Sequence, residues 1–228
     1  MTPCAVLAFS ALLLQAQPSP AVRVLVVTGG HSYPTSFYTL FEQPGIAWDH
    51  AVSSEEAFRH DLRDRYDVVV LHDMPKTLGD AGKAHFRAFA DSRKGIVVIH
   101  HAIVSYPEWD WYRDLIGGRY LEAPHGGMPA STYRHDETLR ITVARQHPVT
   151  EGLRDFTVLD ETYKGMWLAP TNTVLLTTDN PTGDPAVAWV SAYAKSRVVT
   201  IQLGHGPESH RHPSYRRLVA NAIRWSAD

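Results

Sequence analysis

Short apolar runs with no internal polar position dominate the first half of the chain. A strand that is buried on both faces of a sheet shows such a run instead of alternation, as in parallel sheets. Apolar runs and turn residues predict strands at 23–28, 45–53, 66–73 and 95–101. Helical spacing or helix-start residues predict helices at 36–43, from Ser54 as N-cap, at 80–92 and at 107–116. Because strand and helix alternate, the pattern predicts an α/β fold with a doubly wound, mostly parallel sheet flanked by helices.

The pattern changes after Gly118. Residues 119–136 are predicted to form a long loop around His125, because no periodic segment is present there. Further strands are predicted at 138–143, 173–178, 186–190 and 197–203, and an amphipathic helix is predicted at 213–226. We expect these strands to add antiparallel pairs to the sheet. No repeat or linker divides residues 21–228, which predicts one domain.

The N-terminal segment, residues 1–20, carries no charge, and residues 5–14 are apolar apart from Ser10. The run is too short to span a bilayer and is typical of a secretory signal peptide. It predicts a periplasmic or secreted protein that is not held at a membrane after cleavage. No Lys or Arg precedes the run, so a misassigned start and a tethered N-terminus are the alternatives. Because Cys4 is the only cysteine, signal removal would exclude disulfides, zinc–thiolate sites and a cysteine nucleophile.

Composition narrows the candidate chemistry. The formal net charge is −2, so no basic field attracts nucleic acid. The sequence contains neither a serine nucleophile elbow nor a phosphate-binding glycine motif. Its distinctive feature is 13 histidines, which are spread between His31 and His212 and so are not an affinity tag.

Several of these histidines follow predicted buried strands. His31 follows the first strand, His100 and His101 end the run at 95–101, and His205 follows the last strand. Ligands of open α/β sheets bind beyond the carboxyl ends of the strands, so we expect these side chains at one edge. Neutral imidazoles suit Zn, Mn, Fe or Ni. The pattern therefore predicts a divalent metal site formed by His31, His101 and His205. The alternative is that each histidine is capped by a carbonyl or faces water.

A carboxylate follows the apolar run at 156–159. Adjacent residues of a strand point to opposite faces, so only one of Asp160 and Glu161 can face the site. Glu161 and His100 are the predicted proton-transferring residues, with Glu161 also a candidate ligand. Tyr33, Trp109, Tyr163 and Trp189 are predicted to bind substrate, because flat rings with polar edges are common platforms for sugars. Core packing is the alternative for these aromatic residues.

The chain resembles the trehalose-utilisation (ThuA-like) family from about residue 23 to residue 225. The motifs that carry the resemblance are Val27-Thr-Gly-Gly-His31, Val98-Ile-His-His-Ala102, Ile116-Gly-Gly-Arg-Tyr120, His147-Pro-Val-Thr150, Asp160-Glu-Thr-Tyr163 and Leu203-Gly-His205. The resemblance implies a fold similar to class I glutamine amidotransferases and flavodoxin-like proteins. It implies that His100-His101 occupies the position of their cysteine nucleophile and that His205 corresponds to their catalytic histidine. Gly206 departs from the family, which often has an acidic residue there.

The resemblance also implies a role in sugar catabolism. Amidotransfer is excluded, because the mature chain would have no thiol to act as nucleophile. Our hypothesis is a metal-assisted enzyme that cleaves or modifies a keto-glycoside, such as an oxidised disaccharide, by hydrolysis or elimination. The first alternative is a non-catalytic sugar-binding protein on a degenerate amidotransferase-like fold. The second is a metal-independent hydrolase that uses His205 and Glu161.

Overall fold

A nine-stranded sheet organises the computed structural model, which describes residues 21–228. The predicted signal segment, residues 1–20, lies outside the described residues. The strands are β1 (Val22–Val27), β2 (Ile46–Ala51), β3 (Val68–Leu71), β4 (Gly95–Ile99), β5 (Gly118–Arg119), β6 (Thr132–Val143), β7 (Phe156–Lys164), β8 (Trp167–Leu168), β9 (Thr173–Thr178), β10 (Ala186–Val190) and β11 (Val198–Ile201). The α-helices are α1 (Ser54–Ala57), α2 (Asp80–Ala90), α3 (Asp110–Ile116), α4 (Pro207–Arg211) and α5 (Pro213–Ala227).

The sheet is mixed. Its order is β2-β1-β3-β4-β11-β10-β9-β6-β7, and the first five strands in this order are parallel. The remaining four pair antiparallel, while β5 and β8 form a separate two-stranded ribbon. The α/β fold is therefore as predicted, but the antiparallel part is larger than "mostly parallel" implies. The β-branched runs of β3 and β4 are buried at every position, as a central strand covered on both faces requires.

Two apolar layers cover the two faces of the sheet. Phe86 and Phe89 of α2 and Leu115 of α3 belong to one layer, and Leu218 and Ile223 of α5 belong to the other. At Gly95 a Cβ would lie 2.6 Å from the Ser226 carbonyl oxygen, so the absent side chain lets β4 approach α5 closely. Within residues 21–228, no helix is long and apolar enough to cross a membrane.

Two local predictions were wrong and a third was right only in part. Residues 132–136 belong to β6 and not to a loop. Their side chains are exposed and lack alternation, and pairing with β7 makes them a strand. The short helix predicted at 36–43 is present, but as a 3₁₀ helix over residues 35–40. The N-cap of α1 is Ser53, whose hydroxyl accepts a hydrogen bond from the Glu56 backbone, whereas Ser54 is buried inside the helix.

The carboxyl ends of β1, β3, β4 and β11 meet at one edge of the sheet, since these strands are parallel neighbours. The chain leaves this edge through His72 after β3, His100 after β4 and Gly204 after β11. At the opposite edge, Asp67 joins β1 to the segment before β4. Its carboxylate accepts hydrogen bonds from Arg23 at 2.9 Å and Lys94 at 3.1 Å.

We expect Asp67→Asn to lower the free energy of unfolding at neutral pH by about 1 kcal/mol, the upper range for partly exposed ion pairs. Hydrogen bonds from Arg23 outweigh partial burial and hold the pKa of Asp67 well below its usual range. A lowered carboxyl pKa stabilises the fold above the unfolded value, and this contribution is lost as the pH falls toward the folded value. Denaturant titrations should therefore show the difference shrinking below about pH 4. Asp64→Asn is the control, and an Asp67→Asn difference that persists in acid would contradict the assignment.

Candidate functional site

The turn after β4 places the His100 side chain in the interior of the protein. His100 has a φ of 50°, in the left-handed region that residues other than glycine seldom adopt. Its side chain is fully buried, and Nδ1 lies 2.5 Å from the Gln202 carbonyl oxygen after β11. The carbonyl can only accept, so Nδ1 carries the proton and Nε2 points onward. Such strain persists where surrounding contacts maintain it, and it is typical of functional turns.

Three polar atoms converge at the end of His100. Nε2 of His100 lies 2.9 Å from Oε2 of Glu161 and 3.2 Å from Nδ1 of His205. Nδ1 of His205 lies 2.7 Å from the same carboxylate oxygen. One ring nitrogen of His101 completes a group whose ligand atoms all lie within 4.8 Å of one another. We call His100, His101, Glu161 and His205 the Glu161 cluster.

Two adjacent carboxylates of strand β7, those of Asp160 and Glu161, point to opposite faces of the sheet. Glu161 faces the cluster, whereas Asp160 accepts hydrogen bonds from the backbone N–H groups of Gly204, at 2.8 Å, and His205, at 3.0 Å. Asp160 also accepts a hydrogen bond from Ser209 of α4. Asp160 therefore holds the segment that carries His205, and Glu161 meets its ring.

A β-bulge adds a histidine that sequence reasoning missed. Arg134 pairs with Thr162 and Glu137 pairs with Asp160, so two residues, His135 and Asp136, lie opposite Glu161. Asp136 has a φ of 57° at this bulge. His135 Nδ1 lies 3.9 Å from Oε2 of Glu161, and the ring is half exposed. The bulge places His135 opposite Glu161, and no sequence pattern indicates a bulge there.

Glu161 is charged, and its neighbours respond to that charge. Burial raises the pKa of Glu161, but hydrogen bonds from His100 and His205 outweigh it and lower the pKa to about 2. The hydrogen bond to Glu161 raises the pKa of His205. Burial and the neighbouring imidazoles lower the pKa of His101, so that ring is neutral. The cluster therefore combines the Glu161 carboxylate with a neutral imidazole, that of His101, and with the imidazole of His205, whose pKa is raised.

A cleft of about 300 Å³ opens onto the cluster. Its polar lining includes His101, His135 and Glu161. Tyr120, Tyr133 and Tyr163 supply aromatic surface, and the Tyr163 ring also stacks on His100 with 5.1 Å between ring centroids. A small molecule that enters the cleft would contact aromatic rings and the Glu161 cluster together.

The other aromatic residues predicted to bind substrate do not line the cleft. Trp189 is a core residue, fully buried, with its indole N–H bonded to the Ile116 carbonyl oxygen. Trp109 packs against Lys83 and Arg87 of α2 and does not line the cleft. Tyr33 donates a hydrogen bond to Thr28 and lies beside His31.

The predicted ligand set of His31, His101 and His205 is also divided. His31 groups with His72 and His101, whereas His205 belongs to the Glu161 cluster. His31 follows a turn in which Gly29 and Gly30 both have positive φ, and this turn carries it to the ends of β3 and β4. Among the described residues, the three predicted ligands therefore do not meet as one site, and His101 belongs to both groups.

The sequence model of the family described as trehalose utilisation (ThuA) matches residues 23–226. The chain belongs to the trehalose-utilisation family. The family resemblance predicted from the motifs is confirmed, and membership indicates a carbohydrate-related function. No curated protein matches the sequence.

Solved structures of ThuA-like proteins share the fold. One, from Parabacteroides merdae, has a TM-score of 0.78 and 18% identity, covering 91% of this chain and 90% of that chain. Another, from Bacteroides uniformis, has a TM-score of 0.71 and 19% identity, covering 95% of each chain. A protein described as a GMP synthase component, from Thermoplasma acidophilum, has a TM-score of 0.59 and 14% identity, covering 92% of this chain and 96% of that chain. These likenesses show an amidotransferase-type α/β fold for this ThuA-family chain.

We expect Glu161→Gln to lower the pKa of His205, because the carboxylate that raises it is replaced by a neutral amide. The test is an NMR titration of the histidine ring signals in protein freed of metal by a chelator. The signal of His212, which stacks on Phe156 away from the cluster, is the internal control and should titrate as in the wild type. An unchanged His205 titration would show that Glu161 does not set its proton affinity.

Proposed function

We propose that this ThuA-family chain is a metal-assisted enzyme that cleaves or modifies a keto-glycoside at the Glu161 cluster. The observation that supports this most strongly is the convergence of His100 Nε2, Glu161 Oε2 and His205 Nδ1. Because Nδ1 of His100 donates to Gln202, Nε2 can face a carboxylate oxygen at 2.9 Å only if it carries a second proton, as in the hydrogen bond to Glu161 described above, or if a cation lies between the two atoms. Two acceptors facing each other repel unless a proton or a cation lies between them.

The donor set fits a divalent transition metal. Two imidazoles and one carboxylate, with a further imidazole nearby, are ligands that suit Zn, Mn, Fe or Ni. At metal–ligand bonds of ~2.0–2.1 Å, neighbouring ligand atoms are about 2.9 Å apart in an octahedral site and about 3.4 Å apart in a tetrahedral site. The observed separations of 2.7, 2.9 and 3.2 Å are close to these values. Small side-chain movements would complete the site.

The assignment changes the roles predicted from sequence. His100 and Glu161, which we expected to transfer protons, would be ligands with His205. His135 is then the proton-transferring residue, because it lines the cleft, faces Glu161 and lies on the accessible side. Asp160 and Gln202 act as positioning residues, since they hold His205 and His100 through backbone and ring contacts.

The cleft suits a small polar substrate with an apolar C–H face, such as a sugar ring. Its volume lies at the lower end of the range of ligand pockets, ~300–1,000 Å³. Tyr120 and Tyr133 present rings on which a sugar can stack, and the cluster presents polar groups to its oxygens. A bound metal ion would polarise a keto group and acidify the adjacent C–H. His135 would accept that proton, and the electron pair left on carbon would form a carbon–carbon double bond as the glycosidic C–O bond breaks. The protonated His135 would then give the proton to the departing oxygen.

We expect the wild type to retain a divalent metal that Glu161→Gln and His205→Ala lose, with keto-glycoside cleavage reduced by ~100-fold or more. Metal content is measured by elemental analysis after gel filtration, and activity is assayed with an oxidised disaccharide. Glu151→Gln is the control, because Glu151 is exposed and belongs neither to the cluster nor to the cleft lining. We expect it to behave like the wild type.

Other outcomes separate the alternatives. Full activity in the presence of chelator would contradict the metal role and favour a hydrolase that uses His205 and Glu161. Binding of the disaccharide without turnover, measured by calorimetry and unchanged in Glu161→Gln, would favour a sugar-binding protein.

A further inference from the structure

A second group of three imidazoles lies where β1, β3 and β4 end, and it shares one ring with the Glu161 cluster. They belong to His31, His72 and His101, and one ring nitrogen of each lies within 4.8 Å of those of the other two. The ring centroids are 3.8 Å apart for His31 and His101, 5.0 Å apart for His31 and His72, and 5.6 Å apart for His72 and His101. We call this group the triple-histidine cluster.

His72 carries a buried nitrogen that nothing satisfies. The residue is fully buried, and its ring stacks on Phe37 with centroids 4.0 Å apart, which fixes its orientation. Nδ1 has a long contact of 3.4 Å to the Ile99 carbonyl oxygen, and Nε2 has no hydrogen-bond partner among the described residues. Burying a polar atom without a partner destabilises a fold, so each such atom calls for an explanation. A ligand bound at Nε2 supplies one.

The ring nitrogens of His101 and His31 also lack a full set of suitable hydrogen-bond partners. Nδ1 of His101 is buried and has no hydrogen-bond partner within residues 21–228. Both ring nitrogens of His31 face carbonyl oxygens, of Ser32 at 2.9 Å and of His72 at 2.8 Å. A neutral imidazole has one N–H, so it can donate to only one of two carbonyls, and its other nitrogen then turns a lone pair toward an oxygen. His72 and His101 therefore each have a buried nitrogen without a hydrogen-bond partner in the described part of the chain, and the His31 ring lies beside them.

The three rings are close to one another, with centroids 3.8 to 5.6 Å apart, so a separate positive charge on each would be repelled by the others. A single cation bound by one nitrogen of each ring brings only one added charge to the group. Three neutral imidazoles form a known type of zinc site, in which water or an anion occupies the fourth position.

We propose that His31, His72 and His101 form a second metal-binding site, an all-imidazole site for zinc or a similar transition metal, next to the Glu161 cluster. His31 would exchange one carbonyl contact for the ion, and the three nitrogens would draw together to the ~3.4 Å separation of tetrahedral ligands. The shared residue His101 makes the two sites neighbours. The inference extends the proposed function but does not depend on it, because the two sites use different residues apart from His101.

The test is a zinc titration of chelator-treated protein by calorimetry, with the retained zinc counted by elemental analysis. We expect the wild type to bind two equivalents, and His72→Gln and Glu161→Gln to bind one each. The double variant should retain none. His31→Ala, on the exposed side of the cluster, should behave like His72→Gln and covers the case in which His72→Gln fails to fold. His85→Gln is the control, since His85 contacts the Phe58 carbonyl oxygen and lies on α2.

The outcomes distinguish the two proposals. If the wild type binds one equivalent that His72→Gln and His31→Ala retain and Glu161→Gln loses, the second site is overturned and the proposed function stands. If one equivalent remains in Glu161→Gln and is lost in His31→Ala, the triple-histidine site stands and the metal role of the Glu161 cluster fails. No retained zinc in the wild type overturns both.

Discussion

Glu161 is a carboxylate that is almost fully withdrawn from water, and the cleft is built around its charge. A buried charge is tolerated only when it is paired and hydrogen-bonded. His100 and His205 provide that pairing, and each is in turn held by another group. The Gln202 carbonyl fixes the His100 ring, and Asp160 fixes the backbone at His205. Removing Glu161 would therefore leave several oriented polar groups without the charge they face.

The parallel half of the sheet could be predicted from the sequence. The apolar run of β4 and the polar residues that follow it indicate a central strand and its carboxyl end. Local pattern also predicted that Asp160 and Glu161 point to opposite faces of their strand. These inferences succeed because burial on both faces and the two-residue period of a strand are properties of short segments.

The composition of the Glu161 cluster could not be predicted from local pattern. His100 is part of it at a turn where its backbone lies in the left-handed region, with a φ of 50°. His135 reaches Glu161 through a bulge, and bulges depend on how two distant strands pair. Trp189 resembled a cleft residue in the sequence but fills the core, because β10 lies between β11 and β9 inside the sheet. Register and strand order determine all three positions.

The fold shared with an amidotransferase-type protein leaves the chemistry to the site. At the turn where family resemblance implies a nucleophile, this chain places two histidines, and His100 keeps a strained backbone, a conformation that costs about 1–3 kcal/mol. In this backbone conformation the His100 imidazole faces the Glu161 carboxylate. In our account the same turn that can present a nucleophile here presents a metal ligand.

The metal site at the Glu161 cluster is tested most directly by a crystal structure of the protein soaked in zinc, with anomalous diffraction collected on both sides of the zinc absorption edge. We expect an edge-dependent peak within about 2.0–2.2 Å of His100 Nε2, Glu161 Oε2 and His205 Nδ1. A zinc-soaked crystal with no such peak there, and with His100 still in direct contact with Glu161, would contradict it.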